Sequence, residues 1–206
     1  MIKIGALISG SGTNLQAILD GCREGKIDGQ VVVVISDRAD AYGLERARKA
    51  GVEAIFLDPA TYESKSAYNQ ALAETLKARG VDLVCLAGYM RIVRKPLLEP
   101  FEGRMLNIHP SLLPAFPGLN AQQQALEHGV KVTGCTVHFV TPGMDEGPII
   151  LQAAVPVEEQ DTVESLRDRI LKEEHRIYPE AIQLFAAGRL RVEGRRVSIT
   201  PSQPAG

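Results

Sequence analysis

Ile2-Lys3-Ile4-Gly5-Ala6-Leu7-Ile8-Ser9-Gly10-Ser11-Gly12-Thr13-Asn14-Leu15 is the stretch that decides the fold. Its first seven residues are apolar save for one lysine and one glycine, the pattern of a strand buried on both faces. The next six are small or polar, and a helical period begins at Leu15 and runs to about residue 23. A buried strand that passes through glycines straight into a helix is the opening of a β-α-β unit. The apolar run resembles the core of a secretory signal but is too short for one and meets glycines at once, so it reads as a strand.

Working outward, apolar runs at 31–35, 54–57, 83–87 and 106–109 predict four further strands, and amphipathic stretches at 44–50 and 67–78 predict helices between the earlier ones. Such alternation predicts an α/β architecture: a doubly wound, mostly parallel sheet joined by right-handed crossovers. Ligands of such sheets sit outside the carboxyl ends of the strands. After Gly129 the pattern changes: 132–140 alternates as a strand, a Pro/Gly loop follows, and 148–157 returns, which predicts a C-terminal antiparallel strand pair. A long helix is expected over 163–187, capped by Asp161 with Glu164 and stopped at Gly188. A small hairpin is expected over 190–199 around Glu193-Gly194-Arg195, with 200–206 as a frayed tail.

The 206 residues suffice for one substantial core, and no linker divides them, so residues 1–206 are expected to form a single domain. Hydrophobic content of 45% with 23% charged residues is that of an ordinary globular chain. A formal net charge of −2 offers no electrostatic footprint for a polyanion, which argues against a nucleic-acid partner. No stretch approaches the ~20 apolar residues that cross a bilayer, and the expected location is the cytoplasm. Cys22, Cys85 and Cys135 are odd in number and set in apolar surroundings, so they read as core thiols. No His-Cys-carboxylate spacing points to a metal.

Chemistry concentrates at the expected carboxyl edge. In the loop 9–14, glycines let backbone N–H groups approach an anion, and the helix dipole favours a phosphate there. No lysine follows the glycines and Leu15 replaces a third glycine, so a monophosphate fits better than a triphosphate or dinucleotide. The alternative is a tight turn capped by Thr13 or Asn14. Asp37, ending the second strand, reads as a solvated turn carboxylate beside Arg38 rather than a ribose ligand. Gly88-Tyr89-Met90-Arg91-Ile92-Val93, ending the fourth, offers apolar side chains and free backbone groups for a flat heterocycle, or plain core.

Asn107-Ile108-His109-Pro110 ends the fifth strand and puts an amide and an imidazole on one face, about 6–7 Å apart at a rise of ~3.3 Å per residue. An amide can hold an oxyanion and an imidazole can move a proton, a pair suited to acyl transfer. A structural role for both is the competing reading. Asp145, in Pro142-Gly143-Met144-Asp145-Glu146-Gly147-Pro148, would favour the imidazolium of His109 and fix its orientation if it reached it; otherwise it is turn chemistry. Glu174 falls on the apolar stripe of the long helix with Leu166, Ile170, Ile177 and Ala181, and a buried carboxylate demands a partner: a ligand hydroxyl, an arginine or backbone. His138 lies on the strand face shared with Thr136 and Val140, bordering the site. His128 suits a helix end and His175 reads as solvent-facing.

Together these blocks resemble the phosphoribosylglycinamide formyltransferases. The likeness extends to Pro179 and rests on Ile8-Ser9-Gly10-Ser11-Gly12-Thr13-Asn14-Leu15, Ala87-Gly88-Tyr89-Met90-Arg91-Ile92, Asn107-Ile108-His109-Pro110-Ser111-Leu112-Leu113-Pro114, Gly134-Cys135-Thr136-Val137-His138-Phe139-Val140, Asp145-Glu146-Gly147-Pro148 and Glu174-His175-Arg176-Ile177-Tyr178-Pro179. The resemblance implies a Rossmann-like formyltransferase fold in which about 1–105 form a phosphate-binding half and about 106–190 a catalytic and folate-binding half. It implies that Gly12, Thr13, Asn14 and Leu15 hold the phosphate of glycinamide ribonucleotide and Glu174 its ribose, and that Lys65, Met90, Arg91, Ile92, Val93 and Asn107 bind 10-formyltetrahydrofolate. It implies catalysis by Asn107, His109 and Asp145 with no metal, in a monomer or homodimer acting on small molecules. Lys65 stands where relatives often carry Arg near the folate tail, and keeps the charge without the planar fork. Gln122 stands where relatives often carry His, so any contribution of that imidazole is absent. The expected reaction is direct formyl transfer to the ribonucleotide amine. Its rivals are formyltetrahydrofolate hydrolysis, another folate-dependent formyl transfer such as that to methionyl-tRNA, and a non-catalytic nucleotide-binding module.

Overall fold

A computed structural model describes residues 1–201. Five strands, β1 (Ile2–Ile8), β2 (Gly29–Ser36), β3 (Glu53–Phe56), β4 (Leu83–Leu86) and β5 (Met105–His109), run parallel, and β6 (Val132–Phe139) and β7 (Ile149–Pro156) add an antiparallel pair. They form one seven-stranded sheet in the order β3-β2-β1-β4-β5-β6-β7. The order reverses between β1 and β4, and a crevice at the carboxyl ends of strands is expected at such a switch point.

Period-two alternation divides the core between the faces. Ile4, Ala6, Ile8, Leu83, Cys85, Leu106 and Ile108 point to one side, packing with α1 (Thr13–Arg23), α2 (Tyr42–Lys49) and α6 (Val163–Ala186). Leu7, Val33, Ile35, Val84, Leu86 and Met105 point to the other, where α3 (Lys65–Lys77) and the short α4 (Lys95–Leu98) cover them. The doubly wound, mostly parallel sheet with its antiparallel pair and long last helix is as the sequence predicts. Tyr178, fully buried on α6, aims its hydroxyl at the carbonyls of Leu86 (2.9 Å) and Leu106 (3.0 Å), tying the long helix to β4 and β5. No helix among the described residues is long and apolar enough to cross a membrane.

Three local expectations are corrected. The cap of α6 is Thr162, in a reciprocal box with Ser165, because Asp161 is taken by Arg169 at 2.6 and 2.9 Å. α5 (Ala121–His128) ends at His128 as read, but its extent is not predicted, since its Ala-Gln-Gln-Gln opening has no apolar period and it buries only Ala121 and Ala125. The hairpin β8 (Leu190–Glu193) and β9 (Arg196–Ile199) forms as expected, but Thr200 after it is tied down, donating its N–H to Arg189 O (2.9 Å). The rest of the expected tail, 202–206, lies outside the described residues.

Candidate active site

At the end of β1 the chain turns into α1 through Gly12, whose φ of 71° is left-handed. A Cβ there would lie 2.6 Å from the Cα of Gly43, so glycine is required both by conformation and by the approach of α2. No side chain caps α1, so the alternative of a turn capped by Thr13 or Asn14 does not hold. Asn14 instead donates Nδ2 to Glu174 Oε2 at 2.7 Å, both residues being buried. The stripe carboxylate therefore meets an amide of the phosphate-type loop rather than an arginine or backbone. Burial pushes the Glu174 carboxyl up, with the Asn14 hydrogen bond opposing.

Two further groups complete this corner. Arg46 of α2 donates Nε to Ser11 O (2.8 Å), placing a guanidinium beside the loop. His175, expected to face solvent, is half-buried; burial and the charge of Arg46 push its imidazole down, toward the neutral form. Its Nε2 and the Asn14 Oδ1 are both buried with no hydrogen-bond partner. Sequence reasoning missed Arg46 and read His175 as solvent-facing. The orphaned atoms become visible only when α6 is laid against the loop. Gly12→Ala is expected to strain this loop by about 1–2 kcal/mol and to lower the melting temperature accordingly. Gly10→Ala, whose Cβ meets nothing within 4 Å, should melt like the native protein.

Asn107 and His109 alternate onto the same face of β5, opposite His138 and Thr136 of β6. Asn107 Nδ2 lies 3.2 Å from His138 Nε2, and His138 Nδ1 lies 2.9 Å from Phe139 O. A carbonyl only accepts, so Nδ1 of His138 carries the proton and Nε2 accepts from the amide. Burial, the largest influence on His138, lowers its pKa and keeps it in this neutral form. One Asn107 N–H is thereby committed and the amide's orientation fixed, leaving the second N–H to point elsewhere.

His109 is held between two acceptors. Its Nε2 donates to Phe116 O at 2.8 Å, and its Nδ1 lies 3.5 Å from Asp145 Oδ2. Asp145 Oδ1 is 3.8 Å from His138 Nε2, and Oδ2 accepts from Gly118 N–H at 2.8 Å. The carboxylate thus bridges the loop after β5 and the loop between β6 and β7. Phe116 (φ 51°) and Asp145 (φ 53°) both adopt the left-handed region, a cost that the surrounding contacts must offset. Thr136, donating to Ser111 O (2.7 Å), and Gln152, donating to Leu113 O (2.9 Å), pin the first loop from beneath.

Beside these groups opens a cavity of about 830 Å³ walled by Ile92, Val93, Leu98, Phe139 and Val140, with Arg94 and Lys95 also lining it. Phe139 and Val140 directly follow His138, and Thr141, Pro142 and Pro148 of the Asp145 loop close one side. Glu99 and Glu102 line it too, Glu99 pairing with Lys95 at 3.3 Å, so apolar walls meet charges of both signs, a lining that suits a heterocycle with polar substituents. Ile92 and Val93 line it, whereas Met90, Arg91, Lys65 and Asn107 do not; Ser66, next to Lys65, does. Arg91 is turned away, donating Nε to Asp37 Oδ2 at 2.8 Å. Asp37 is no solvated turn carboxylate: its side chain is 7% exposed, and Arg38 pairs with Asp40 instead.

A model of the formyl transferase family matches residues 2–182. The chain is 48% identical over 190 residues to the trifunctional purine biosynthetic protein adenosine-3 of Bos taurus, a match covering 92% of this chain but 19% of that longer protein. It is 48% identical over 191 residues to the phosphoribosylglycinamide formyltransferase of Escherichia coli (strain K12), covering 93% of this chain and 90% of the relative. The crystal structure of glycinamide ribonucleotide transformylase 1 from Symbiobacterium toebii superposes with a TM-score of 0.97 at 77% identity, over 98% of this chain and 95% of that one. With a glycine-bearing loop opening α1, an apolar-walled cavity and an amide-imidazole-carboxylate cluster at the strand ends, the chain belongs to the formyl transferase family, among its phosphoribosylglycinamide formyltransferases.

Proposed function

We propose that this formyltransferase carries the formyl group of 10-formyltetrahydrofolate directly to the amine of N1-(5-phosphoribosyl)glycinamide, giving the formylglycinamide ribonucleotide and tetrahydrofolate. The observation that supports it best is the cluster of Asn107, His109 and Asp145 at the strand ends, with Asp145 within 3.8 Å of both histidines. The amine is the nucleophile, so the protein need supply only position, an oxyanion donor and a proton path.

In this reading the loop from Gly12 to Leu15 takes the phosphate, with Arg46 and the open Nε2 of His175 beside it, and Glu174 accepts from the ribose hydroxyls. Ile92 and Val93 hold the folate's ring system, while Lys65 and the backbone of Met90 and Arg91 border its approach. The uncommitted N–H of Asn107 faces the carbonyl oxygen as negative charge develops on it. His109 mediates proton transfer to the leaving nitrogen, and Asp145 orients it and holds the relaying water. The enzyme works in the cytoplasm as a monomer or homodimer on two small molecules, with no nucleic-acid partner, in keeping with its net charge of −2.

The test is acceptor dependence. Incubated with 10-formyltetrahydrofolate, the protein should release tetrahydrofolate only when glycinamide ribonucleotide is present, with no free formate. Formate release without the acceptor would identify a hydrolase, and no turnover under either condition would identify a binding module.

Glu174→Gln separates binding from stability. The raised carboxyl of Glu174 stabilises the fold only while protonated, so that contribution is present below its ordinary value of 4.5 and fades as pH rises through the higher folded value. A glutamine stays neutral and can also donate to the orphaned Asn14 Oδ1, an acceptor whose isolation costs about 1 kcal/mol or more. The variant should therefore melt above the native protein at pH 8, with a smaller margin at pH 5. Its ribonucleotide affinity should fall about tenfold or more, as hydrogen bonds to a charged acceptor are lost.

A further inference from the structure

Three strand ends far apart in sequence are joined by hydrogen bonds, two of them half-buried and one at the surface, that the proposed chemistry does not use. Ser9, after β1, donates its hydroxyl to Asp37 Oδ1 at 2.6 Å and accepts from Met90 N–H at 2.9 Å. Its own N–H donates to Gly88 O at 3.1 Å. The second carboxylate oxygen of Asp37, after β2, accepts from Arg91 Nε at 2.8 Å. Ser9 is 5% exposed and the Asp37 side chain 7%, whereas Arg91 reaches solvent and lies 5.8 Å over the Tyr68 ring. Asp37 thus sits between one donor on the phosphate-type loop and one on the segment that enters the apolar cavity at Ile92 and Val93. A buried carboxylate that loses either donor bears a desolvation cost, so movement of one segment is resisted by the other.

We propose that Asp37 is a positioning residue that couples the two substrate subsites, holding the ribonucleotide loop through Ser9, whose hydroxyl also takes the Met90 N–H, and the folate-binding segment through Arg91. The inference rests on the subsites assigned above. A ligand seated on either segment restrains both, so the second ligand bears less of the ordering cost and binds more tightly. Linkage requires the effect to be reciprocal.

The experiment is calorimetry on the full chain with glycinamide ribonucleotide and tetrahydrofolate, which has no formyl group to transfer, each titrated alone and against saturating amounts of the other. In the native protein each ligand should tighten the other by the same factor, about fivefold or more. Asp37→Ala removes both carboxylate arms, Asp37→Asn sets an amide against Arg91, and Ser9→Ala removes the hydroxyl that joins Asp37 to the Met90 N–H. In each the factor should fall to about one while both ligands still bind singly, and the KM values for both substrates should rise together with little change in kcat. A purely structural role would lower the melting temperature and both affinities yet leave the factor unchanged; that result, or a factor of one in the native protein, overturns the coupling. A native protein that binds neither ligand would overturn the subsite assignment itself.

Discussion

His109→Ala is expected to lower turnover by about 10²–10⁴-fold, the usual share of a positioned acid-base group. His109 is placed by both loops of the site at once: its Nε2 is fixed by Phe116 O at 2.8 Å and its Nδ1 is turned to Asp145 at 3.5 Å. With the ring held from both sides, its task is proton transfer rather than substrate binding, so calorimetric affinities for both substrates should stay within about threefold of native. Asp145→Asn, which keeps an oxygen for Gly118 N–H but removes the charge, should reproduce most of the loss. Because the two act as one unit, the double variant should be little worse than His109→Ala alone. Steady-state kinetics of the three variants checks this.

Asn107→Ala is expected to cost about 10²–10³-fold in kcat, the range for loss of one oxyanion donor. The amide is pre-oriented: a neutral His138, itself fixed by Phe139 O at 2.9 Å, takes one N–H and leaves the other directed by geometry rather than by chance. Asn107→Asp should be worse than Asn107→Ala. It keeps the shape but replaces a donor by a negative charge where negative charge must develop, and it leaves His138 Nε2 without its donor. A kcat for Asn107→Ala within about threefold of native would remove this residue from the oxyanion role.

Most of the frame was legible in sequence because it depends on local periodicity. Apolar runs located all seven sheet strands to within about two residues at each end, and 3.6-residue stripes located the longer helices. The glycines after β1 and the polar pair ending β5 are likewise local signals. What escaped depends on distant segments meeting. The burial of Asp37 requires Ser9 and Arg91, 28 and 54 residues away, to converge on it. Arg46 and His175 matter only because α2 and α6 approach the same loop. The turning of Arg91 away from the cavity follows from the claim Asp37 makes on its Nε. At α6 Asp161 reads as the cap, but Arg169, eight residues on, takes its carboxylate and Thr162 caps instead. The extent of α5 escaped for the opposite reason: apart from His128 at its end, a helix held by two buried alanines leaves almost no apolar pattern to read.

The most direct measurement is a single turnover with an isotopically labelled formyl carbon, followed in the native enzyme and in His109→Ala. The account predicts that native enzyme delivers the label to the ribonucleotide amine in one step, with none on the protein and none as free formate, and that the variant binds both substrates but delivers it at least about a hundredfold more slowly. Label trapped on a side chain, label released as formate, or delivery at the native rate without His109 would contradict it.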